Sequence, residues 1–125
     1  MDMTRTAQRA LAALDLTSLN EDDTPSVISA LCARAHTRFG SVAAVCVYPE
    51  HVALAREYLQ RGGGDVRVAT VVNFPDGAPD PARAERETRR AIAAGADEID
   101  VVFPWRALIG GDAAVGARVV SDCKA

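Results

Sequence analysis

Residues 95 to 104 read Gly-Ala-Asp-Glu-Ile-Asp-Val-Val-Phe-Pro, in which Ile99, Val101 and Phe103 alternate with Glu98, Asp100 and Val102. A period of two sends the two sets to opposite faces of a sheet, so this segment predicts a strand with one apolar and one acidic face. An unpaired carboxylate buried in a sheet interior costs several kcal/mol, which gives Asp100 partners, a raised pKa or a task. Two further apolar runs end in the same way, an aromatic residue followed by proline: Val45-Cys46-Val47-Tyr48-Pro49 and Val71-Val72-Asn73-Phe74-Pro75. The prolines at 49, 75 and 104 are 26 and 29 residues apart. A strand, a loop and a crossover helix need about 30 residues, so the repeat predicts successive βαβ units in a parallel sheet. Proline stops each strand where its loop begins.

Helix signals fill the intervals. Thr24 and Pro25 read as cap and first helical position, ahead of a stripe of Val27, Ile28, Leu31 and Ala35 that Phe39-Gly40 closes. A second helix runs from about Glu50 to Arg61 with Val52, Ala55, Tyr58 and Leu59 inward, and stops at Gly62. Asp80-Pro81 opens a third, with an exposed face carrying Arg83 to Glu87 and Glu85 to Arg89 at i,i+4, and a stop at Gly95. A fourth starts near Asp112. Upstream, an amphipathic segment from about Thr4 to Ala13 leads into Leu14-Asp15-Leu16-Thr17, a short first strand. Four strands with helices between them, and no linker, make residues 1–125 one α/β domain. A complete (β/α)8 barrel takes roughly 250 residues, so four units predict half of a TIM barrel. Val115 to Ala125 continues a helical pattern without Gly, Asn or Pro to close it, which places the expected remainder on the C-terminal side.

Charge and cysteine content narrow the chemistry. The formal net charge of -3, with both signs interspersed, offers no broad basic field for nucleic acid or an anionic membrane. No apolar run approaches the ~20 residues of a membrane span, and the N-terminus has no signal-peptide pattern, so a cytoplasmic protein is expected. Cys32, Cys46 and Cys123 lie far apart without CxxC spacing, and His36 and His51 are the two histidines, so free thiols and no metal site are expected. The acidic run Glu21-Asp22-Asp23 reads as the favourable negative end of the following helix, and Gly62-Gly63-Gly64 as a helix stop and turn. Arg106 could bind phosphate, or pair with a carboxylate at the surface.

Parallel α/β barrels carry their sites at the carboxyl ends of the strands. Alternation then selects Asp15 and Thr17 on the first strand, Cys46 and Tyr48 on the second, Asn73 on the third and Asp100 on the fourth. Each also has a structural reading: a tethered carboxylate, a small buried thiol, or an asparagine that closes a turn.

With Leu14-Asp15-Leu16-Thr17-Ser18-Leu19-Asn20, Ala44-Val45-Cys46-Val47-Tyr48-Pro49, Thr70-Val71-Val72-Asn73-Phe74-Pro75 and Gly95 through Pro104, the chain resembles the N-terminal half of deoxyribose-phosphate aldolase almost end to end. The resemblance implies a (β/α)8 barrel and a class I lyase of deoxyribonucleotide catabolism. Such an enzyme cleaves 2-deoxyribose 5-phosphate to acetaldehyde and glyceraldehyde 3-phosphate through a lysine Schiff base, with no cofactor. It also implies that Asp100 is the proton-relay acid, that Asp15 and Thr17 lie near the substrate hydroxyls and the relay, and that Cys46 lines the site without being essential. The chain departs from the family in its lysines. Both catalytic lysines and the phosphate loops of that family come from later strands, whereas the one lysine here, Lys124, matches a helix position. The expectation is therefore a truncated form, inactive alone, whose partners are a phosphorylated sugar and either a complementary C-terminal half or further copies of itself. The alternative is a non-catalytic half-barrel that self-associates, since an open parallel sheet leaves two unpaired edges. A doubly wound binding module fits less well, because no glycine-rich phosphate loop follows the first strand.

Overall fold

The computed structural model describes residues 2–124. In chain order the elements are α1 (Met3–Ala12), β1 (Asp15–Thr17), α2 (Pro25–Arg34), β2 (His36–Thr37), β3 (Gly40–Ser41), β4 (Ala44–Val47), α3 (Val52–Arg61), β5 (Arg67–Val72), α4 (Pro81–Ala94), β6 (Glu98–Val101), α5 (Trp105–Ile109) and α6 (Ala113–Lys124). Four of the strands form one parallel sheet in the order β1-β4-β5-β6. β4, β5 and β6 are the strands that the aromatic-proline repeat predicts, with their helical crossovers, and β1 is the short first strand read from Leu14-Asp15-Leu16-Thr17.

The capping chemistry accounts for the helix boundaries. Thr24 accepts a hydrogen bond from the Val27 amide with Pro25 at the first helical position of α2, and Asp80 does the same for the Arg83 amide of α4. Gly95 ends α4 in the left-handed region at φ 108°, where a side chain would be strained. Arg56 of α3 seals that end by donating to the Gly95 carbonyl, and also pairs with Asp97. Asp97 in turn accepts from the Val68 amide, so one carboxylate ties the entrances of β5 and β6 to α3.

The two faces of the sheet differ as the alternation requires. Leu16, Val45, Val47 and Val68 lie on the helix side, where they meet Ile28, Leu31 and Cys32 of α2 and Val52, Ala55 and Leu59 of α3 in one buried cluster. Thr70 shares this face fully buried, its hydroxyl satisfied by the Val47 carbonyl at 2.7 Å. The opposite face carries a thinner cluster of Ala44, Cys46, Ala69 and Val71, overhung by Leu19, Tyr48 and Phe74.

Three local details differ from the sequence expectation. Phe39-Gly40 does not close α2; the helix ends at Arg34 and an antiparallel hairpin of β2 and β3 follows. Gly40 at φ 126° and the Thr37 hydroxyl donating to the Gly40 carbonyl make the two-residue arms possible, too short for an alternation signal. A 3-10 turn over Pro49–His51 precedes α3, and a single helical turn, α5, follows Pro104. No helix among the described residues is long and apolar enough to cross a membrane.

Candidate active site

The register of the parallel ladder sets the site. Thr17 pairs with Cys46, Cys46 with Ala69, Ala69 with Glu98, and Val71 with Asp100. Because alternate residues share a face, Asp15, Thr17, Cys46, Glu98 and Asp100 all project from the side opposite the α2–α3 core. The strands thus bring together four of the six residues selected from the sequence, Asp15, Thr17, Cys46 and Asp100, and add Glu98 to them; Tyr48 overhangs the same face.

Cys46 is the buried centre of this face, with 3% of its surface exposed, and its thiol is pushed up to about 11. Burial is the main cause, followed by the negative charges of Asp100 and Asp15; Thr17 offsets part of the rise and Glu98 adds to it. At neutral pH Cys46 is therefore a thiol and not a nucleophilic thiolate. In the ladder Asp15 lies on the strand next to Cys46 and Asp100 two strands away, on the same face.

The carboxylates themselves are exposed, which corrects the premise of a buried Asp100. The sheet is open on this side, so Asp15 and Asp100 keep their hydration and Asp100 forms no ion pair among the described residues. The Thr17 hydroxyl donates to the Asp15 carbonyl at 3.0 Å. At the rim, Tyr48 and Phe74 meet edge to face with centroids 5.6 Å apart. With Pro49, Val71 and Glu87 they border a recess of about 150 Å³.

Asn73 does not face this site. It takes φ 54°, which asparagine tolerates better than other side chains, and its fully buried amide turns toward the next loop. Nδ2 donates to the Ala78 carbonyl at 2.8 Å and to the Val102 carbonyl at 3.0 Å, so the turn-closing reading of Asn73 is the one the structure bears out. The Asn73 amide donates to Glu87 Oε2 at 2.7 Å, while Glu87 Oε1 accepts from Arg83 Nε at 2.7 Å. The Arg83 and Glu87 pair, expected on an exposed helix face, is instead half-buried at the carboxyl end of β5. Their i,i+4 spacing was visible in the sequence, but the loop folding back onto them was not. Arg83 also grips Asp76 through Nη1 at 2.9 and 3.0 Å and holds that carboxyl below its usual range.

Arg106 lies over the Trp105 ring at 4.2 Å and donates to the Asp76 carbonyl at 2.8 Å, a backbone oxygen in place of the expected carboxylate. Asp23 of the acidic run braces the loop after β1, accepting from Ser18 Oγ at 2.7 Å and from the Asn20 amide at 3.3 Å. Lys124 is exposed in the last turn of α6.

Half of a parallel α/β barrel, with carboxylates and a thiol on its inner face, is an arrangement suited to proton transfer on a carbonyl substrate. The chain belongs to the DeoC/LacD family of aldolases, whose model matches residues 9–125. Among solved structures, it is 32% identical to a protein from Coccidioides immitis carrying the deoxyribose-phosphate aldolase name, over 94% of this chain and 44% of that one, with a TM-score of 0.83. A namesake from Toxoplasma gondii is 27% identical over 97% of this chain and 46% of its own, also at TM-score 0.83. A tetrameric deoxyribose phosphate aldolase from Aeropyrum pernix, at 23% identity and TM-score 0.75, shares the fold. The chain thus spans about half the length of the solved structures it matches.

Proposed function

We propose that this chain supplies the acid–base half of a deoxyribose-phosphate aldolase site acting on 2-deoxyribose 5-phosphate in the cytoplasm. The observation that carries the reading is the shared inner face of Asp15, Thr17, Cys46 and Asp100, within a chain of the aldolase family. In this reading residues 1–125 are one domain, the N-terminal half of a (β/α)8 barrel.

Retro-aldol cleavage needs a base to take the proton from the hydroxyl next to the breaking carbon–carbon bond, and an acid to return a proton to the carbon released. Asp100, exposed and unpaired, takes and returns that proton through water. Asp15 and Thr17 hold the substrate hydroxyls from β1, the outer strand at the other edge of the sheet from β6. Cys46, protonated at neutral pH, lines the floor and leaves covalent chemistry to an amine. That amine is the imine-forming lysine, which comes from outside these residues, since Lys124 lies on α6 and away from the inner face. The phosphate is bound outside them as well. The complement is a C-terminal half-barrel, which closes the free sides of β1 and β6.

Borohydride reduction in the presence of 2-deoxyribose 5-phosphate tests the assignment. The chain alone is expected to gain no substrate-derived mass. Mixed with the C-terminal half of a full-length deoxyribose-phosphate aldolase, it should support trapping on that half and release acetaldehyde, both lost with Asp100→Asn. An adduct on Lys124, or turnover indifferent to Asp100→Asn, refutes the proposal. The sides of β1 and β6 that stay unpaired among the described residues also favour a second reading, self-association of a non-catalytic half-barrel. Sedimentation of the chain alone at several concentrations tests this: dimers or larger assemblies support it, and a compact monomer counts against it.

A further inference from the structure

We infer that Asn73, braced by Glu87 and Arg83, is a positioning residue that fixes the carboxyl end of β6 and thereby the place of Asp100 on the face it shares with Cys46. The inference rests on the role proposed for Asp100, but its physical content is independent of catalysis.

Asp100 makes no ion pair among the described residues, so the backbone of β6 sets where its carboxylate sits. That backbone is weakly held. β6 is an outer strand paired on one side, and its last ladder bond runs from the Val102 amide to the Val72 carbonyl at 3.1 Å. Just beyond that bond, the Asn73 amide group donates to the Val102 carbonyl, two residues after Asp100. Both groups facing Nδ2 are carbonyls, so the amide must present its NH2 there.

A turn asparagine that merely closed its own loop would need the Ala78 contact alone. Here one side chain bridges its own loop and the neighbouring strand, and every other bond in the cluster immobilises the bridge. Glu87 accepts from the Asn73 main chain and from Arg83, Arg83 grips Asp76, and the Gly77 amide returns to the Asn73 carbonyl at 3.0 Å. From the far side Arg106, beyond β6, donates to the Asp76 carbonyl, so both exits are tied to the same three-residue turn. The cluster is a clamp between α4 and the exits of β5 and β6, and Asp100 lies on the strand it holds.

The test uses the chain itself and involves no turnover. Asn73→Gly removes the bridge while tolerating φ 54°, so it separates the amide from backbone strain. Two signals are followed by NMR: amide exchange at Val102, and the titration of Cys46 read from its 13Cβ shift. The groups charged around Cys46 are Asp15, Glu98 and Asp100, and of these Asp100 lies nearest the clamp, two residues before Val102. Val102 exchange is expected to rise about fivefold, the worth of one neutral hydrogen bond, with Val45 unchanged. The Cys46 midpoint should fall from about 11, and Asp100→Asn should lower it in the parent but add little in the Asn73→Gly background. A folded Asn73→Gly chain with the parent Cys46 midpoint overturns the inference, as does an Asp100→Asn effect that is fully additive. Glu87→Gln, which keeps the side chain's size and weakens its grip on Arg83, should shift both signals in the same direction by a smaller amount, and no shift there is equally contrary. Failure of the trapping experiment with these shifts present would discard the aldolase role and leave the clamp standing.

Discussion

Gly77 sits where the loop after β5 touches the end of β6, and replacing it with alanine tests the tightness of that contact. Its φ of +64° places it in the left-handed region, and a Cβ there would lie 2.7 Å from the Phe103 carbonyl oxygen and 2.9 Å from Val102 Cγ1. Two costs follow. The left-handed conformation costs an L-residue about 1 kcal/mol. The second is steric: a backbone oxygen cannot swing aside like a side-chain tip, so either the β6 exit or the clamped loop must move, at about 1–3 kcal/mol by analogy with overpacking. The expected total is about 2–4 kcal/mol. Gly64→Ala isolates the first cost, because Gly64 has φ +81° with nothing within 4 Å of an added Cβ. In urea, with a slope of about 2 kcal/mol per molar, Gly77→Ala should unfold about 1 M earlier than Gly64→Ala. It should also accelerate amide exchange at Val102. Equal midpoints for the two variants would show that the exits are not in contact as described, and would remove the steric basis of the clamp.

Other perturbations probe other parts of the sheet. An alanine Cβ at Gly116 would stand 2.2 Å from Phe103 Cζ, so Gly116→Ala should expel the ring from α6 and destabilise by about 1–3 kcal/mol, with Phe103→Leu recovering part of the loss in a double-mutant cycle of urea midpoints. Cys46 ionises near 9 when unperturbed and at about 11 in the fold, so its contribution to stability is complete below pH 9 and drains as pH rises from 9 to about 11. Urea midpoints at pH 8 and pH 10 should therefore diverge in the parent and converge partly in Cys46→Ser. Burial pushes the Asp97 carboxyl up, but the Val68 amide and the Arg56 guanidinium outweigh it and hold the pKa below the ordinary value. Its stabilisation is thus present at neutral pH and lost as pH falls through that lowered value; with the carboxylate partly screened by solvent, Asp97→Ala should cost about 1 kcal/mol at pH 7 and flatten the acid limb of a stability profile.

The parts of this fold that repeat were legible, and the parts that depend on one long-range contact were not. Strand spacing, the alternation through Ile99 and Val101, and the caps at Thr24, Asp80 and Gly95 are local signals, each fixed by a few neighbouring residues. They sufficed for the sheet and for the face on which Asp15, Thr17, Cys46 and Asp100 lie. The hairpin at His36 to Ser41 escaped because its arms of two residues are shorter than any period. Asn73 misled for a different reason. It has the parity of an inward residue on β5, but the strand ends at Val72, and a positive φ turns the side chain out of the alternation. The Arg83 and Glu87 spacing could be read as a helix-surface pair; that the pair is half-buried depends on Asp76 and Phe74 folding over it, which no window along the chain reveals.

The exposure of Asp15 and Asp100 constrains whatever completes the barrel. In the open sheet their hydration makes the acidic face inexpensive, and their charges add to the burial that raises the Cys46 thiol. Closing the inner face with a second half would strip that water, and an unpaired carboxylate in such an interior costs several kcal/mol. Apolar closure is therefore disfavoured: a stable complement must bring donors or cations to this face, and cationic amines are the groups that both compensate the carboxylates and, once deprotonated, attack a carbonyl. The same electrostatics weighs against pairing two copies inner face to inner face, since that would bring a second set of Asp15, Glu98 and Asp100 against the first.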